Sequence, residues 1–116
     1  MGRGICYVKD GEEEFYFLWS SIVDSPITFG MGLEEFMEFM HEEYGRLGWS
    51  NIEGDLERAR RKGISWRNYT LDEVILLNRA GKNETRLTKE ELIEWFCRKR
   101  ENPPVGVGAK INFEEE

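Results

Sequence analysis

The chain has 116 residues, the length of one ordinary domain, and 13% of them are aromatic, which is enough for a core without metal or disulfide support. No apolar run approaches the ~20 residues needed to cross a bilayer, and the N-terminal stretch lacks the apolar centre of a signal peptide. We therefore expect a cytoplasmic protein without membrane association. The two cysteines, Cys6 and Cys97, lie in apolar stretches and are predicted to be buried free thiols.

The net charge of −7 is distributed unevenly along the chain. Residues 1–57 carry 3 basic and 13 acidic side chains, whereas residues 58–110 carry 13 basic and 7 acidic side chains. We therefore expect the molecule to have an acidic side and a basic side, unless folding interleaves them.

Two apolar runs near the N-terminus predict a β-hairpin. Residues 5–8 and 15–19 are rich in β-branched and aromatic side chains, and the Asp-Gly pair at residues 10–11 favours a tight turn. If this pair forms the loop, Cys6 lies opposite Phe15. Both faces of the hairpin are then apolar, so either both are covered or one is an interaction surface, which leaves self-association open.

Four helices are predicted after the hairpin. Apolar side chains recur at i, i+3, i+4, i+7 and i+11 in residues 33–44, which predicts a helix that Gly32 begins and Gly45 ends. The other three helices begin at capping boxes, in which a Ser or Thr accepts from a backbone N–H and a Glu reaches back. These boxes are Ser50 to Glu53, Thr70 to Glu73 and Thr88 to Glu91.

Together these elements predict an α+β fold, with the N-terminal hairpin packed against about four α-helices. Residues 27–29 are a candidate for a third short strand. We expect a single compact domain over residues 1–104. Residues 105–116 are predicted to form an acidic C-terminal tail, either disordered or a strand at residues 110–113 that adds to the hairpin.

The sequence contains no catalytic motif. His41 is the only histidine, and a thiol mechanism would require Cys6 or Cys97 close to it, which no spacing favours. One histidine and two distant cysteines do not make a zinc site. We therefore expect a non-enzymatic protein with no cofactor and no metal.

The acidic half suggests the leading functional hypothesis, a module that binds a protein partner with a basic surface. Three glutamates follow i, i+4 spacing on the helix of residues 33–44, although the ordinary interpretation of such a row is a solvated face. Nearby aromatic side chains would add contact area. The predicted protein-binding residues are Glu34, Glu38, Glu42, Phe39, Tyr7 and Tyr16.

The alternative hypothesis is nucleic-acid association through the basic segment 58–67. Cations interleaved with an aromatic residue can follow a phosphate backbone, but Lys and Arg also stabilise the C-terminus of a helix. The pI of 4.9 argues against a dedicated nucleic-acid binder. The predicted nucleic-acid-binding residues are Arg58, Arg60, Arg61, Lys62, Trp66 and Arg67.

Three short stretches resemble small uncharacterised proteins encoded by phages and their bacterial hosts: Gly2-Arg3-Gly4, Trp19-Ser20-Ser21-Ile22-Val23-Asp24-Ser25-Pro26 and Glu43-Tyr44-Gly45. The resemblance covers residues 2–45 and includes no catalytic motif. It implies a small protein that binds and inhibits a host factor, including defence proteins. It transfers no site residue to this chain.

Overall fold

The fold is built on an N-terminal β-hairpin that lies between two layers of helices. A computed structural model describes residues 2–22, 25–49, 51–76, 85–102 and 109–110. The predicted α+β fold is confirmed: a three-stranded antiparallel sheet in the order β1-β2-β3 packs with four helices. The elements are β1 (Arg3–Asp10), β2 (Glu13–Ser20), β3 (Ser25–Pro26), α1 (Leu33–Gly48), α2 (Ile52–Lys62), α3 (Leu71–Leu76), β4 (Thr85–Arg86), α4 (Lys89–Leu92) and β5 (Ala109–Lys110).

The hairpin forms as predicted, but its turn lies one residue later. Asp10 pairs with Glu13, so the loop is Gly11-Glu12, and Cys6 lies opposite Phe17 instead of Phe15. Gly11 has φ 66, whereas Glu12 has no positive φ, which is typical of a type II′ turn with glycine first. The register shifts by two residues, so every side chain keeps its predicted face.

Both apolar faces of the hairpin are covered by helices. One face packs with α1 and α2, and the other packs with α3, α4 and the segment before α3. The first core cluster contains Ile5, Tyr16, Leu18, Met31, Phe36, Met40, Leu56 and Ala59. The second contains Cys6, Val8, Phe17, Trp19, Ile64, Leu71, Val74, Leu92, Phe96 and Cys97. Neither face of the hairpin is therefore left open for self-association.

The two edges of the hairpin are also occupied. On the β1 side, Tyr7 N–H donates to Gly63 O (2.9 Å) and Ser65 N–H donates to Ile5 O (2.8 Å). On the β2 side, Tyr16 exchanges two backbone hydrogen bonds with Met31, beyond the short strand β3. The third strand is therefore present, but at Ser25–Pro26 and not at residues 27–29. Proline is tolerated there because β3 is an edge strand.

The helices on the first face begin and end at residues with clear backbone reasons. Gly32 is the N-cap of α1, and Gly45 interrupts its helical geometry with φ 60, where the sequence predicts the end. The N-cap of α2 is Asn51, whose side chain accepts from Gly54 N–H, so α2 begins one residue later than predicted, and Ser50 of the predicted capping box lies outside the described residues. Gly63 ends α2 with φ 89 and donates its N–H to Ala59 O.

The helices on the second face begin at the predicted capping boxes. Thr70 and Glu73 exchange hydrogen bonds of 3.1 and 2.9 Å at the start of α3. Thr88 and Glu91 form the same box at α4, which continues directly as a π-helix over Ile93–Lys99.

The C-terminal strand pairs differently from the prediction. Ala109–Lys110 (β5) is antiparallel to Thr85–Arg86 (β4), and these two short strands form a two-stranded sheet separate from the hairpin. Most of the predicted strand at residues 110–113, and the acidic end of the tail, lie outside the described residues.

Candidate functional site

The predicted acidic surface is only partly assembled. Glu34, Glu38 and Glu42 are exposed on α1, as their i, i+4 spacing requires; these three residues are called the acidic surface below. Phe39 is half-buried, with its ring 6.4 Å from that of Phe36.

The two tyrosines assigned to that surface lie elsewhere. Tyr16 is 0% exposed, and its hydroxyl accepts a 2.7 Å hydrogen bond from Arg60 Nε. The expectation that Tyr16 contacts a partner is therefore wrong, because a core side chain cannot reach one. Tyr7 lies beside Tyr16, with ring centroids 5.3 Å apart, and lines a cleft formed by basic residues.

This basic cleft gathers cations from separate parts of the chain. It has a volume of about 460 Å³ and lies where β1, the last turn of α2, the start of α3 and the start of α4 meet. One carboxylate also lines it, that of Asp72, which pairs with Lys89 at 3.4 Å. The basic cleft is defined by Tyr7 and the cations Lys9, Arg60, Arg61, Lys62 and Lys89.

A second carboxylate, that of Glu14, lies at the border of the basic cleft, where it is hydrogen-bonded to the Tyr7 phenol. The pKa of the Tyr7 phenol is raised. Burial is the largest cause, and the hydrogen bond to Glu14 and the negative charge of that carboxylate come next. The phenol is thus held in its neutral form, which can donate a hydrogen bond.

A second cleft combines arginines with aromatic rings. It has a volume of about 570 Å³. The ring of Trp66 is held by its Nε1–H, which donates to Arg3 O at 3.1 Å, and it meets the ring of Tyr69 edge-on at 6.4 Å. Among the described residues that line it, Asp55 is the one carboxylate, and it accepts from Arg58 Nη1 at 2.9 Å and from the Trp49 indole N–H at 2.7 Å. The aromatic cleft is defined by Arg3, Arg58, Trp66, Arg67 and Tyr69.

The two clefts share the segment that links α2 to α3. Lys62 Nζ donates to Trp66 O at 2.9 Å and to Arg67 O, so it holds this segment against the end of α2. Arg58 Nη1 donates to Ser65 O at 3.0 Å and supports the same segment. The last turn of α2 therefore fixes the wall between the clefts, and its cations also satisfy carbonyl groups that would otherwise lack partners.

All six predicted nucleic-acid-binding residues line one of these clefts. Arg60, Arg61 and Lys62 line the basic cleft, and the other three line the aromatic cleft. Five further residues complete the two clefts: Arg3, Tyr7, Lys9, Tyr69 and Lys89. No spacing in the sequence signals this, because the fold alone brings β1 and α4 beside α2.

The basic residues at the end of the π-helix have a different role. Arg98 pairs with Asp10 at 2.9 Å and with Glu13, next to the hairpin turn. Arg100 pairs with Glu35 of α1 at 3.0 Å. Folding therefore interleaves the charges at this end of the molecule, whereas cations remain concentrated around the C-terminus of α2.

The thiols and the histidine do not meet. Cys6 and Cys97 are buried in the second core cluster, whereas His41 is exposed on α1, which packs on the opposite face of the sheet. Burial raises the pKa of both thiols, that of Cys97 to about 12, which disfavours the nucleophilic thiolate. No cluster of three or more potential metal ligands occurs in the part of the chain that the structure describes.

His41 lies in a third, shallow cleft at the junction of α1 and α2. This cleft has a volume of about 420 Å³, and its lining includes Met37, Trp49, Ile52 and Glu53. The first three are partly buried apolar side chains that pack against the first core cluster. The cleft lies beside the acidic surface, because Glu38 and Glu42 follow Met37 and His41 directly on α1.

The helices of the described ranges are too short or too polar to span a bilayer. No protein-family model matches this sequence, and comparisons with curated proteins and with solved structures give no significant match.

Proposed function

We propose that this protein binds nucleic acid through the basic cleft and the adjoining aromatic cleft. The observation that carries the proposal is the convergence of five cations from β1, α2 and α4 on one cleft of about 460 Å³. Among the described residues of its lining, the single carboxylate, Asp72, already pairs with Lys89. Phosphate groups, spaced regularly along a strand, are the natural complement of such a cleft.

The side chains of the basic cleft keep donors for a ligand. Arg60 uses Nε for the Tyr16 hydroxyl, which positions a guanidinium that has five N–H donors in all. Lys9 and Arg61 are exposed, and no carboxylate of the described residues lies within ion-pair distance of either. Backbone contacts hold Lys62, so its role is to position the wall of the cleft.

The negative net charge does not conflict with this proposal. At an ionic strength of 0.1 M, charges separated by more than about 10 Å of solvent are largely screened. A local group of cations can therefore bind phosphate although the whole chain is acidic. Affinity should fall steeply with salt, with a slope of about −0.7 per neutralised phosphate on a single strand.

The test is fluorescence anisotropy with labelled single-stranded and double-stranded oligonucleotides over a salt series. The double substitution Lys9→Glu, Arg61→Glu should weaken binding at least about 10-fold and flatten the salt slope, because phosphate contacts are lost. The matched control is Lys99→Glu, Arg100→Glu, which changes the net charge equally outside both clefts. No binding of any oligonucleotide at low salt, or equal losses in both variants, would contradict the proposal.

A second candidate function is recognition of a basic protein surface by the acidic surface. It is supported by the exposure of all three glutamates beside the apolar cleft of Met37, Trp49 and Ile52. Such a pairing agrees with the host-factor binding that the phage-protein resemblance implies.

Replacing Glu34, Glu38 and Glu42 by Lys should slow association with the captured partner and weaken the complex. The matched control reverses three exposed acids away from this cleft, Glu57, Glu90 and Glu94. Partner capture that survives the first triple substitution would remove the acidic surface from consideration.

A further inference from the structure

We infer that the nucleic acid bound here is single-stranded, with a base stacked on Tyr69 in the aromatic cleft and the neighbouring phosphates in the basic cleft. This inference rests on the proposed function and specifies the ligand of the same site. It depends on an exposed aromatic ring beside arginines, a combination that phosphate recognition alone does not need.

The aromatic cleft has one fixed ring and one available ring. Trp66 is held by its hydrogen bond to Arg3 O, and it packs so closely on Gly4 that a Cβ there would lie 2.8 Å from the indole Nε1. Tyr69 is 44% exposed and meets the Trp66 ring at 72°. The face of the tyrosine is therefore the stacking platform, and the tryptophan fixes its orientation.

The size and charge of the aromatic cleft suit a nucleobase. Its volume of about 570 Å³ falls within the range of roughly 300–1,000 Å³ that is typical of small-molecule pockets. Arg67 is exposed at its lining, so a guanidinium plane or a phosphate contact is available next to the ring. Asn68 lies between these two residues and offers an amide for the edge of a base.

The connection between the clefts favours a single strand over a duplex. Lys62 lines the basic cleft, and its ammonium group reaches the backbone carbonyls of Trp66 and Arg67 in the aromatic cleft. A flexible strand can follow this wall and turn one base into the aromatic cleft. In a duplex the faces of the bases are covered by their stacked neighbours, so Tyr69 could contribute only after a base is unstacked.

The experiment compares four labelled probes in anisotropy titrations at one salt concentration: a single-stranded oligonucleotide, its duplex, inorganic polyphosphate and a poly-glutamate peptide. The single strand should bind at least about 10-fold more tightly than polyphosphate or poly-glutamate, because only the single strand offers both phosphates and free base faces. Equal affinity for the duplex, or tighter binding of poly-glutamate, would overturn the inference.

Substitutions separate stacking from charge. Tyr69→Ala should weaken binding of the single strand by about 5- to 150-fold, with no change in the salt slope, whereas Tyr69→Phe should bind like the wild type. Ile22→Ala is the control, since this side chain is 85% exposed outside both clefts. Circular dichroism checks that Tyr69→Ala remains folded.

The outcomes distinguish the two proposals. If Lys9→Glu, Arg61→Glu weakens binding but Tyr69→Ala does not, the stacking inference fails and the proposed function remains. If no oligonucleotide binds to the wild type, both fail. Tryptophan fluorescence gives a further check. If the single strand quenches it in the wild type and this quenching disappears in Trp66→Phe, the bound base lies at the aromatic cleft.

Discussion

The acidic surface and the basic cleft differ in sign and also in how they are built. The acidic surface belongs to a single helix, and its three glutamates share a face because they are four residues apart. The basic cleft draws its cations from β1, α2 and α4, which are separated in sequence by up to 80 residues between Lys9 and Lys89. One surface follows from local geometry, whereas the other exists only when the tertiary fold is intact.

This difference has a consequence for mutations in the scaffold. Substitutions that disturb the junction of α2 with the rest of the fold should damage the basic cleft, because its walls would separate. The same substitutions should leave the acidic surface unchanged, since α1 carries it alone. Measurements of stability and of oligonucleotide binding on the same variants therefore test whether the two surfaces are independent.

The largest effect is expected for Gly63→Ala, at the point where α2 turns towards α3. Alanine at φ 89 costs about 1–2 kcal/mol, and its Cβ would lie 2.6 Å from Leu71 Cβ, which adds about 1–3 kcal/mol of overpacking. We expect a loss of about 2–5 kcal/mol in the free energy of unfolding, measured in urea, together with weaker oligonucleotide binding.

The matched control for that substitution is Gly11→Ala in the hairpin turn. Its φ is also positive, at 66, but a Cβ there would meet nothing within 4 Å. It should therefore lose only about 1–2 kcal/mol and retain its affinity for the oligonucleotide. Equal losses of stability in both variants would show that contact with Leu71 is unimportant.

The elements that the sequence predicts well are those with local causes. The helix of residues 33–44 follows from the spacing of its apolar residues, and the capping boxes at Thr70 and Thr88 follow from hydrogen bonds between near neighbours. The hairpin is also predictable, but its register depends on which two residues form the turn. Asp-Gly and Gly-Glu compete for that position. A type I′ turn at Asp-Gly needs a positive φ at Asp10, which Asp10 does not have, so Gly11 and Glu12 form the loop.

The candidate site is predictable only in part. Segment 58–67 is recognisable because its cations and its tryptophan are close in sequence. Lys9, Lys89 and Tyr69 are not recognisable, since their roles depend on tertiary contacts that leave no periodic pattern. The misassignment of Tyr16 has the same origin: two apolar faces on the hairpin do not reveal that helices cover both.

The second prediction concerns alkaline pH and the core cluster that contains Cys97 and Leu71. The thiol of Cys97 is neutral in the native state up to about pH 12, whereas the unfolded thiol ionises near pH 9.0. Stability is therefore complete below pH 9 and is lost as pH rises towards 12, by about 1.4 kcal/mol per pH unit from this group.

Urea unfolding of the wild type and of Cys97→Ala across this pH range checks the prediction. The variant should be less stable below pH 9, because it leaves a small cavity, but its stability should fall less steeply above pH 9. The difference between the two slopes removes the contribution of the tyrosines, which both proteins share. Parallel slopes would show that the Cys97 thiol is accessible to solvent.

A smaller effect is expected for Tyr16→Phe, which breaks the contact between a core tyrosine and Arg60 of the basic cleft. The change removes the 2.7 Å hydrogen bond from Arg60 Nε while the ring and its packing remain. We expect a loss of about 1–2 kcal/mol in the free energy of unfolding, because Arg60 is exposed and water can replace part of the bond. Oligonucleotide affinity should fall a few-fold as the guanidinium becomes less ordered.

The control is Tyr7→Phe, which removes a phenol from the lining of the basic cleft without touching Arg60 Nε. Its effect on stability should be smaller, since the Tyr7 side chain is only partly buried. If both variants bind the oligonucleotide like the wild type, the Tyr16 hydroxyl does not position Arg60 for a ligand.

The smallest effect is expected when glutamine replaces all three glutamates of the acidic surface, Glu34, Glu38 and Glu42. Glutamine has nearly the same helix propensity as glutamate, and the three side chains are exposed, so each substitution should change the free energy of unfolding by no more than about 0.5 kcal/mol. Glu34 lies in the first turn of α1, where the helix dipole stabilises its negative charge. It should therefore account for most of any loss. Urea unfolding with single and triple variants measures this directly. A loss much larger than the three small terms would mean that these carboxylates support the fold, and the acidic surface would then depend on tertiary structure as much as the basic cleft does.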